Sequence, residues 1–413
     1  MSATEGRIQV LAWVGDHLNR NWRAWLRFLG DHVPAGRAGR VWWLTLAASL
    51  TATAIIPLLP LYAAQSGASL MAVGWMSAAF LGTQLLFSYG SGRLSDRVGT
   101  RPMMLMGLIT YALCSLGFYL WPNPVAFIWL RGMEGIAAAF FLPAALAYVA
   151  HHYPSGERGL RLGQLSASEN LGLLLGPAIG GMIQNQWGMP TLFLVLFGVC
   201  MLAGTLVFGM PEPTRAVALE VRETQSGVSQ TLLLGAVAFR ASSGGFANGM
   251  YFTVWPLFMQ RMGASTWEVS LSWTLFAVPA VILASWAGRL IDRWNPIVFA
   301  IAGGVTSAVM VTGYIRVSDV SALLGLCFLE GIGFAFAYPA ISALTLMVAP
   351  DNERGRIIGL VTSIRTLGAL AGALVTPWLY EKNPHWCFDF TALYLLMGVV
   401  VLGIAQRLQE RRT

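Results

Sequence analysis

Long uncharged stretches restrict this chain to a small set of folds. Six stretches contain no Asp, Glu, Lys or Arg: 41–64, 68–92, 102–121, 189–210, 269–288 and 296–315. Because about 20 consecutive apolar residues cross the hydrocarbon core as a helix, each stretch predicts a membrane span. Charged residues make up 11% of the 413 residues, against roughly 25% in soluble domains. We therefore predict an all-α integral membrane protein.

Six further apolar stretches contain at most three charged residues each, namely 125–150, 162–183, 231–259, 320–349, 357–380 and 388–406. Together the two sets predict twelve spans, which we number 1 to 12 in chain order. The predicted divisions are a leader (1–40), an N-terminal bundle (41–210), a linker (211–230), a C-terminal bundle (231–406) and a tail (407–413). Apolar residues at helical spacing within the leader predict a helix lying in the membrane surface, and a disordered basic tail is the alternative.

Basic residues are distributed unevenly between the two sides that twelve spans define. Twenty of the 26 Lys and Arg residues lie in segments on the side of the N-terminus, and three lie on the other side: Arg261, Arg316 and Lys382. This asymmetry follows the positive-inside rule and predicts cytoplasmic termini in a bacterial inner membrane. We attribute the net charge of +7 to topology and to contact with membrane lipids, and we predict no binding of nucleic acid.

The second half of the chain repeats the first at an offset of 196 residues. The segment GRLSDR at 92–97 matches GRLIDR at 288–293. Other pairs at this offset are Glu134 and Glu330, Pro143 and Pro339, Gly172 and Gly368, and Gly176 and Gly372. One offset without gaps predicts an internal duplication, and hence two six-helix bundles of equal topology. Such halves, joined by a polar linker, are typical of transporters that rock two domains about a central site.

Three local patterns carry a resemblance to a known family. The segment after span 2 reads G-x-L-x-D-R-x-G-x-R, at Gly92, Leu94, Asp96, Arg97, Gly99 and Arg101. Span 4 has Arg131 four residues before Gly135. Span 5 has the pattern G-x8-G-x3-G-P-x2-G-G, at Gly163, Gly172, Gly176, Pro177, Gly180 and Gly181. These patterns resemble the major facilitator superfamily, and the last resembles the signature of its twelve-span drug:proton antiporters.

Each of these motifs has a physical interpretation. Glycines at helical spacing permit close helix contact, and Pro177 permits a bend, so span 5 is predicted to form a contact surface between the bundles, with plain close packing as the alternative. The charged segments are predicted to form a cytoplasmic latch that pairs in one state only, and a topogenic charge cluster is the alternative. The predicted latch residues are Gly92, Asp96, Arg97, Gly99, Arg101, Asp292 and Arg293.

Ionisable residues near the centre of a span are costly and therefore indicate function. The six candidates are Arg131, Glu134, Glu169, Arg240, Glu330 and Arg365. Arg131 and Glu134 are three residues apart and can pair. They form either a structural ion pair, or a proton site tuned by Arg131, or a contact for an anionic group of the substrate. Glu330 has no cation one turn away, and desolvation favours its neutral form. Glu169 and Arg365 are repeat equivalents and act either as a gate or structurally.

The resemblance implies that spans 1, 4, 7 and 10 line a cavity, with Glu134 and Glu330 on opposing walls. The predicted cavity residues are Arg131, Glu134, Arg240, Asn248, Tyr251, Trp255, Glu330, Phe334 and Tyr338. The predicted proton-coupling residues are Glu134, Glu330 and Glu169. Span 1 lacks the acidic residue that many drug exporters of the family carry, so an anionic or zwitterionic amphiphile such as a lipid is an alternative substrate.

We therefore expect a monomeric secondary transporter that exports amphiphilic small molecules in exchange for protons by alternating access. The alternatives are a lipid or lysolipid translocase of the same fold and, from other classes, a membrane enzyme, a receptor or a channel. No catalytic, metal-binding or cofactor motif is recognised in the sequence, so no cofactor and no metal is expected. The four cysteines show no metal or disulfide spacing and are predicted to be packing residues.

Overall fold

The computed structural model describes residues 36–211, 228–350 and 353–410, and every regular element in these ranges is an α-helix. The helices are α1 Gly36–Ala54, α2 Leu59–Gln65, α3 Leu70–Val98, α4 Thr100–Leu120, α5 Pro124–His152, α6 Ser155–Phe208, α7 Val228–Arg261, α8 Thr266–Arg293, α9 Pro296–Tyr314, α10 Val320–Val348, α11 Arg354–Lys382 and α12 Pro384–Glu410. The predicted leader helix and most of the predicted linker lie outside the described residues.

The helices account for twelve spans. Span 1 comprises α1 and α2; spans 2, 3 and 4 are α3, α4 and α5; spans 5 and 6 both lie in α6; and spans 7 to 12 are α7 to α12. In the described ranges, ten helical stretches are long and apolar enough to cross a membrane. One of these stretches, Gly156–Phe208, contains two spans, and Val228–Arg261 supplies the remaining one. The prediction of twelve spans is confirmed.

Gly188 separates spans 5 and 6 within α6. Its backbone angles are φ 81° and ψ 168°, a conformation that glycine adopts at little cost because it has no Cβ. Pro190 follows two residues later and cannot donate a backbone hydrogen bond to continue the preceding helix. The chain therefore turns between these spans at Gly188, within what is otherwise one continuous helix.

Helix caps repeat between the two bundles. Ser69 and Asn123 accept hydrogen bonds from Ala72 N at 3.1 Å and from Ala126 N at 2.9 Å. The repeat equivalents of these caps, Ser265 and Asp319, cap spans 8 and 10 in the same way. Each such cap contributes about 1 kcal/mol to helix stability. The duplication has therefore preserved the signals that begin spans 2, 4, 8 and 10.

The charged segments after spans 2 and 8 belong to the helices themselves. Span 2 continues to Val98 and ends at Gly99, whose φ is 99°. Span 8 likewise continues to Arg293. The motif therefore forms the last turns of each span, instead of a separate segment between spans.

The apolar core is divided between the two bundles. Clusters around Tyr148 and Phe193 fill the N-terminal bundle, and clusters around Tyr314 and Leu344 fill the C-terminal bundle. The four cysteines are unpaired and buried in these cores, as expected for packing residues. Two six-helix bundles related by duplication are thus confirmed as the architecture.

Candidate functional site

The two bundles contact each other on one side of the membrane. We call the side on which span 1 begins and span 12 ends the terminal face, and the opposite side the far face. In the far-face half of the spans, Gly74 of span 2 packs against Ala373 and Pro377 of span 11. Gly181 of span 5 packs against Ser270 of span 8 in the same half. Because these glycines have no side chain, the backbones approach closely and seal this end.

The contacts between the bundles end near the middle of the membrane. The last contacts on this path are the Thr274 hydroxyl, which donates to the Leu174 carbonyl at 3.3 Å, and Gly82 beside Leu370. Closer to the terminal face, a Cβ at the repeat equivalents Gly163 and Gly359 would meet no heavy atom within 4 Å. From these open positions and the far-face contacts we infer a cleft between the bundles that opens on the terminal face.

Arg131 and Glu134 of span 4 form an ion pair inside the N-terminal bundle. Arg131 Nη1 donates to Glu134 Oε2 at 2.7 Å, and both side chains are buried. The Arg131 guanidinium also lies 4.3 Å from the centre of the Phe80 ring, a cation–π contact. It borders a narrow crevice between the bundles, lined also by Phe252 of span 7. Arg131 thus stands between Glu134 and the interface.

Glu330 of span 10 lies among hydroxyl groups in the C-terminal bundle. Tyr251 of span 7 donates to both carboxylate oxygens at 2.8 Å, and Tyr314 of span 9 donates to Oε2 at 2.6 Å. Ser307 of span 9 is a third hydrogen-bonding partner. No cation pairs with Glu330 among the described residues. Since a hydroxyl can donate or accept, these partners can serve the carboxyl group in both of its protonation states.

The predicted position of the two acids on opposing cavity walls differs from the structure. Glu134 is 0% exposed and Glu330 is 3% exposed. Each carboxyl group faces the interior of its own bundle, because its hydrogen-bonding partners belong to that bundle. Tyr251, which is half-buried, lies between Glu330 and the outside of the bundle. Arg131, which borders the crevice between the bundles, and the half-buried Tyr251 are the hydrogen-bonding partners of the two acids.

Two other predicted cavity residues also lie inside the C-terminal bundle. Arg240 is buried; its guanidinium packs over Gly304 of span 9, and its Cδ packs over Gly398 of span 12. Trp255 is buried in the core and donates to Ser272 Oγ at 3.0 Å. Both side chains are enclosed in the bundle in this conformation, and their place in the cavity remains a prediction. Asn248 is half-buried on span 7.

An open aromatic surface does lie on span 10. Tyr338 is 47% exposed and stacks on Phe334, with ring centres 5.5 Å apart. Phe276 of span 8 contacts Phe334 at 5.1 Å. The Arg365 guanidinium of span 11 lies 5.5 Å from the centre of the Tyr338 ring. Phe334 and Tyr338 were predicted to line the cavity; Phe276 extends the same surface and was not singled out.

The glycine motif of span 5 makes contacts that were not predicted. A Cβ at Gly172, Gly176 or Gly180 would collide with residues 49–54 of span 1, in the same bundle. Only Gly181 of the motif packs against the other bundle, and Gly163 faces open space. The motif therefore joins spans 5 and 1, and the contact between the bundles rests on its last glycine.

The predicted latch remains a prediction. Arg97, Asp292 and Arg293 are exposed at the terminal face. Arg101 Nη2 donates to the carbonyl of Phe208 at 3.0 Å, which ties the start of span 3 to the end of span 6. The side chains of Gly92 and Asp96 lie outside the described part of the structure.

We expect Glu134→Gln to destabilise the protein. The substitution removes the charge that balances Arg131 in a buried site, and leaving one partner of a buried ion pair costs about 3–5 kcal/mol. Thermal unfolding of purified protein should therefore shift to lower temperature. A variant with wild-type thermal stability and wild-type transport would contradict a structural role for the pair.

Sequence comparison identifies relatives of known class. The family model described as Major Facilitator Superfamily matches residues 41–315 and 237–411. Multidrug resistance protein 2 of Bacillus subtilis (strain 168) is 26% identical over 386 residues, which cover 87% of this chain and 91% of the relative. Multidrug resistance protein MdtG of Enterobacter lignolyticus (strain SCF1) is 27% identical over 376 residues, covering 87% and 88%.

Solved structures share the fold at low sequence identity. A bacterial homolog to the human lysosomal transporter Spinster, in an inward-facing and occupied conformation, has a TM-score of 0.76 at 14% identity and covers 90% of this chain and 96% of its own. A D-xylose-proton symporter has a TM-score of 0.71 at 17% identity, with coverages of 89% and 95%. The twelve spans in two bundles, the family match over most of the chain and the multidrug-resistance relatives agree: the chain belongs to the major facilitator superfamily and is a transporter, not an enzyme.

Proposed function

We propose that this transporter exports amphiphilic small molecules from the cytoplasm in exchange for protons, by alternating access. Glu330 is the observation that carries the proposal. It is a buried acid without a cation, held by Tyr251 and Tyr314 at 2.6–2.8 Å. Such a site can exchange a proton while remaining hydrogen-bonded in both protonation states, which a fixed ion pair cannot do.

Tyr251 provides the route between the proton site and the cleft. It belongs to span 7 and bonds both oxygens of Glu330. The adjacent Phe252 lies at the interface, where its carbonyl accepts from Ser77 of span 2 at 3.4 Å. A movement of one bundle against the other would therefore displace the segment that holds the Glu330 carboxyl group. Proton binding and bundle movement are coupled in this proposal through span 7.

Alternating access requires that the far-face contacts separate during transport, and this makes a prediction. In a Gly82→Cys/Leu370→Cys variant, a short bifunctional thiol reagent should join spans 2 and 11, since a Cβ at Gly82 lies 4.0 Å from Leu370. Joining them should stop transport, because the sealed end can no longer open.

The matched control places cysteines at Gly163 and Gly288, on spans 5 and 8, where both positions face open space. This pair should react more slowly with the same reagent. The four native cysteines are buried and add little background. Full transport by the cross-linked Gly82→Cys/Leu370→Cys variant would contradict alternating access through this end.

The proposal is tested with a panel of radiolabelled drugs and lipids on proteoliposomes with an imposed pH gradient. Accumulation of drugs that depends on the gradient supports export by antiport. Accumulation of lipids or lysolipids alone supports the second candidate, a lipid translocase of the same fold, which the missing acidic residue in span 1 favours. Uptake that ignores the gradient would refute proton coupling.

A further inference from the structure

Two of the six ionisable residues near span centres are not enclosed in a bundle. Glu169 of span 5 is exposed and Arg365 of span 11 is half-buried, whereas Arg131, Glu134, Arg240 and Glu330 are buried. Glu169 and Arg365 are separated by the repeat offset of 196 residues. They therefore occupy equivalent positions in the two bundles, with opposite charges.

Glu169 and Arg365 lie at the same depth in opposite bundles, each five residues closer to the terminal face than an interface residue of its own span, Leu174 and Leu370 respectively. The backbone of each is packed against its own bundle: the Ser49 hydroxyl donates to the Glu169 carbonyl at 2.9 Å, and Gly245 lies against the Arg365 carbonyl. No N–O distance within 4 Å joins Glu169 and Arg365 among the described ion pairs. The opposite charges of Glu169 and Arg365 therefore create an electric field across the cleft.

An aromatic surface adjoins the cationic residue, Arg365. Arg365 lies over Tyr338, which stacks on Phe334. The positions equivalent to Tyr338 and Phe334 in the N-terminal bundle are Leu142 and Ala138, so this pair of stacked rings is not repeated there. The site therefore offers an anion-binding group with a neighbouring apolar surface, and a cation-binding group opposite.

We propose that the cleft binds zwitterionic amphiphiles. The anionic group of the substrate pairs with Arg365, its cationic group pairs with Glu169, and its apolar part packs on Phe334 and Tyr338. A singly charged amphiphile gains from one of the two residues and is repelled by the other, whereas a zwitterion gains from both. This inference rests on the proposed export of amphiphiles and names the class of substrate.

In a simpler role, Glu169 and Arg365 would only attract each other and hold the two bundles together. We call this alternative the strap. The two roles differ in their dependence on the ligand. If Glu169 and Arg365 bind the ligand, removing each charge changes affinity according to the charge of the head group. If they only attract each other, removing either charge changes the affinity of all amphiphiles equally.

The test measures binding to the full-length protein in nanodiscs, by tryptophan fluorescence and without a pH gradient. The probes share a decyl chain and differ in head group: decylphosphocholine is zwitterionic, decyltrimethylammonium is cationic and decyl sulfate is anionic. We expect wild-type protein to bind decylphosphocholine about tenfold more tightly than either singly charged probe. Equal affinities for the three probes in wild-type protein would overturn the proposal without any variant.

The variants separate the two ends of the site. Glu169→Gln should weaken binding of decylphosphocholine and decyltrimethylammonium but not of decyl sulfate, and Arg365→Gln should weaken decylphosphocholine and decyl sulfate only. The exchange Glu169→Arg/Arg365→Glu should bind decylphosphocholine better than either single variant does. Glu157→Gln, an acid near the terminal-face end of span 5, is the control and should bind as wild type does. Losses that are equal for all three probes would overturn the proposal in favour of the strap.

Binding and proton coupling are measured separately in these experiments. Equal affinities for the three probes, together with gradient-driven export, would refute the zwitterion site but leave the proposed function standing. Tighter binding of decylphosphocholine without gradient-driven transport would refute proton antiport but leave the zwitterion site standing.

Discussion

Glu330→Gln is expected to abolish transport driven by a pH gradient while leaving substrate exchange intact. Glutamine fixes the neutral form of the side chain, so the site can no longer take up and release a proton. It has nearly the same shape, and its amide can still bond Tyr251 and Tyr314, which hold the carboxyl group in the native protein. In proteoliposomes, gradient-driven accumulation should fall by tenfold or more, equal to about 1.4 kcal/mol, and exchange at equal pH should persist.

The repeat equivalent Glu134 provides the matched control for this experiment. Glu134→Gln removes the partner of Arg131 and should lower thermal stability, whereas Glu330→Gln removes no ion pair and should not. The two substitutions are chemically identical and occur at equivalent places in the two bundles. If Glu330→Gln retained gradient-driven transport, Glu330 would be excluded as the coupling residue, and Glu134 or Glu169 would have to take that role.

Gly176→Leu is expected to prevent stable folding of the N-terminal bundle. A Cβ at Gly176 would meet the hydroxyl of Thr53, the backbone nitrogen of Ala54 and the carbonyl of Leu50. Two of these atoms belong to the backbone of span 1 and cannot move aside as a flexible side chain would. Overpacking of a core costs about 1–3 kcal/mol even where side chains can adjust, so we expect a larger loss here, measured as a lower unfolding temperature or failure to purify.

Gly163→Leu is the control within the same motif, because a Cβ at Gly163 meets no heavy atom within 4 Å. This variant should fold with wild-type thermal stability. Equal stability of the Gly176→Leu and Gly163→Leu proteins would contradict the close contact between spans 1 and 5.

Much of the fold could be predicted because the membrane imposes strong constraints. Uncharged stretches predict spans, and the offset of 196 residues predicts two bundles of equal topology. It was harder to predict which neighbouring helix each face of a span contacts. Glycine spacing on span 5 indicates close packing but does not identify the partner helix, which is span 1 for three of the glycines. Spans 7 and 10 are apolar on all sides, so no amphipathic pattern indicates which face Arg240 occupies.

The hydroxyl groups around Glu330 were also missed, although the repeat contains a signal for them. Tyr314 and Tyr251 occupy the positions of Phe118 and Ile55 in the first half, so at these two positions a hydroxyl group is present only in the second half. Both tyrosines bond Glu330, whereas Glu134 has Arg131 as its partner. A comparison of repeat equivalents for changes in polarity would have indicated that the two acids lie in different surroundings.

Proton antiport is tested directly by measuring the proton movement that accompanies substrate transport. Proteoliposomes carrying a pH-sensitive dye in the lumen are given a transported amphiphile, with no gradient imposed. Proton antiport through Glu330 predicts a lumenal pH change that appears only when substrate is added and is absent in the Glu330→Gln protein. Substrate transport by the wild-type protein without any such pH change would contradict proton antiport through Glu330.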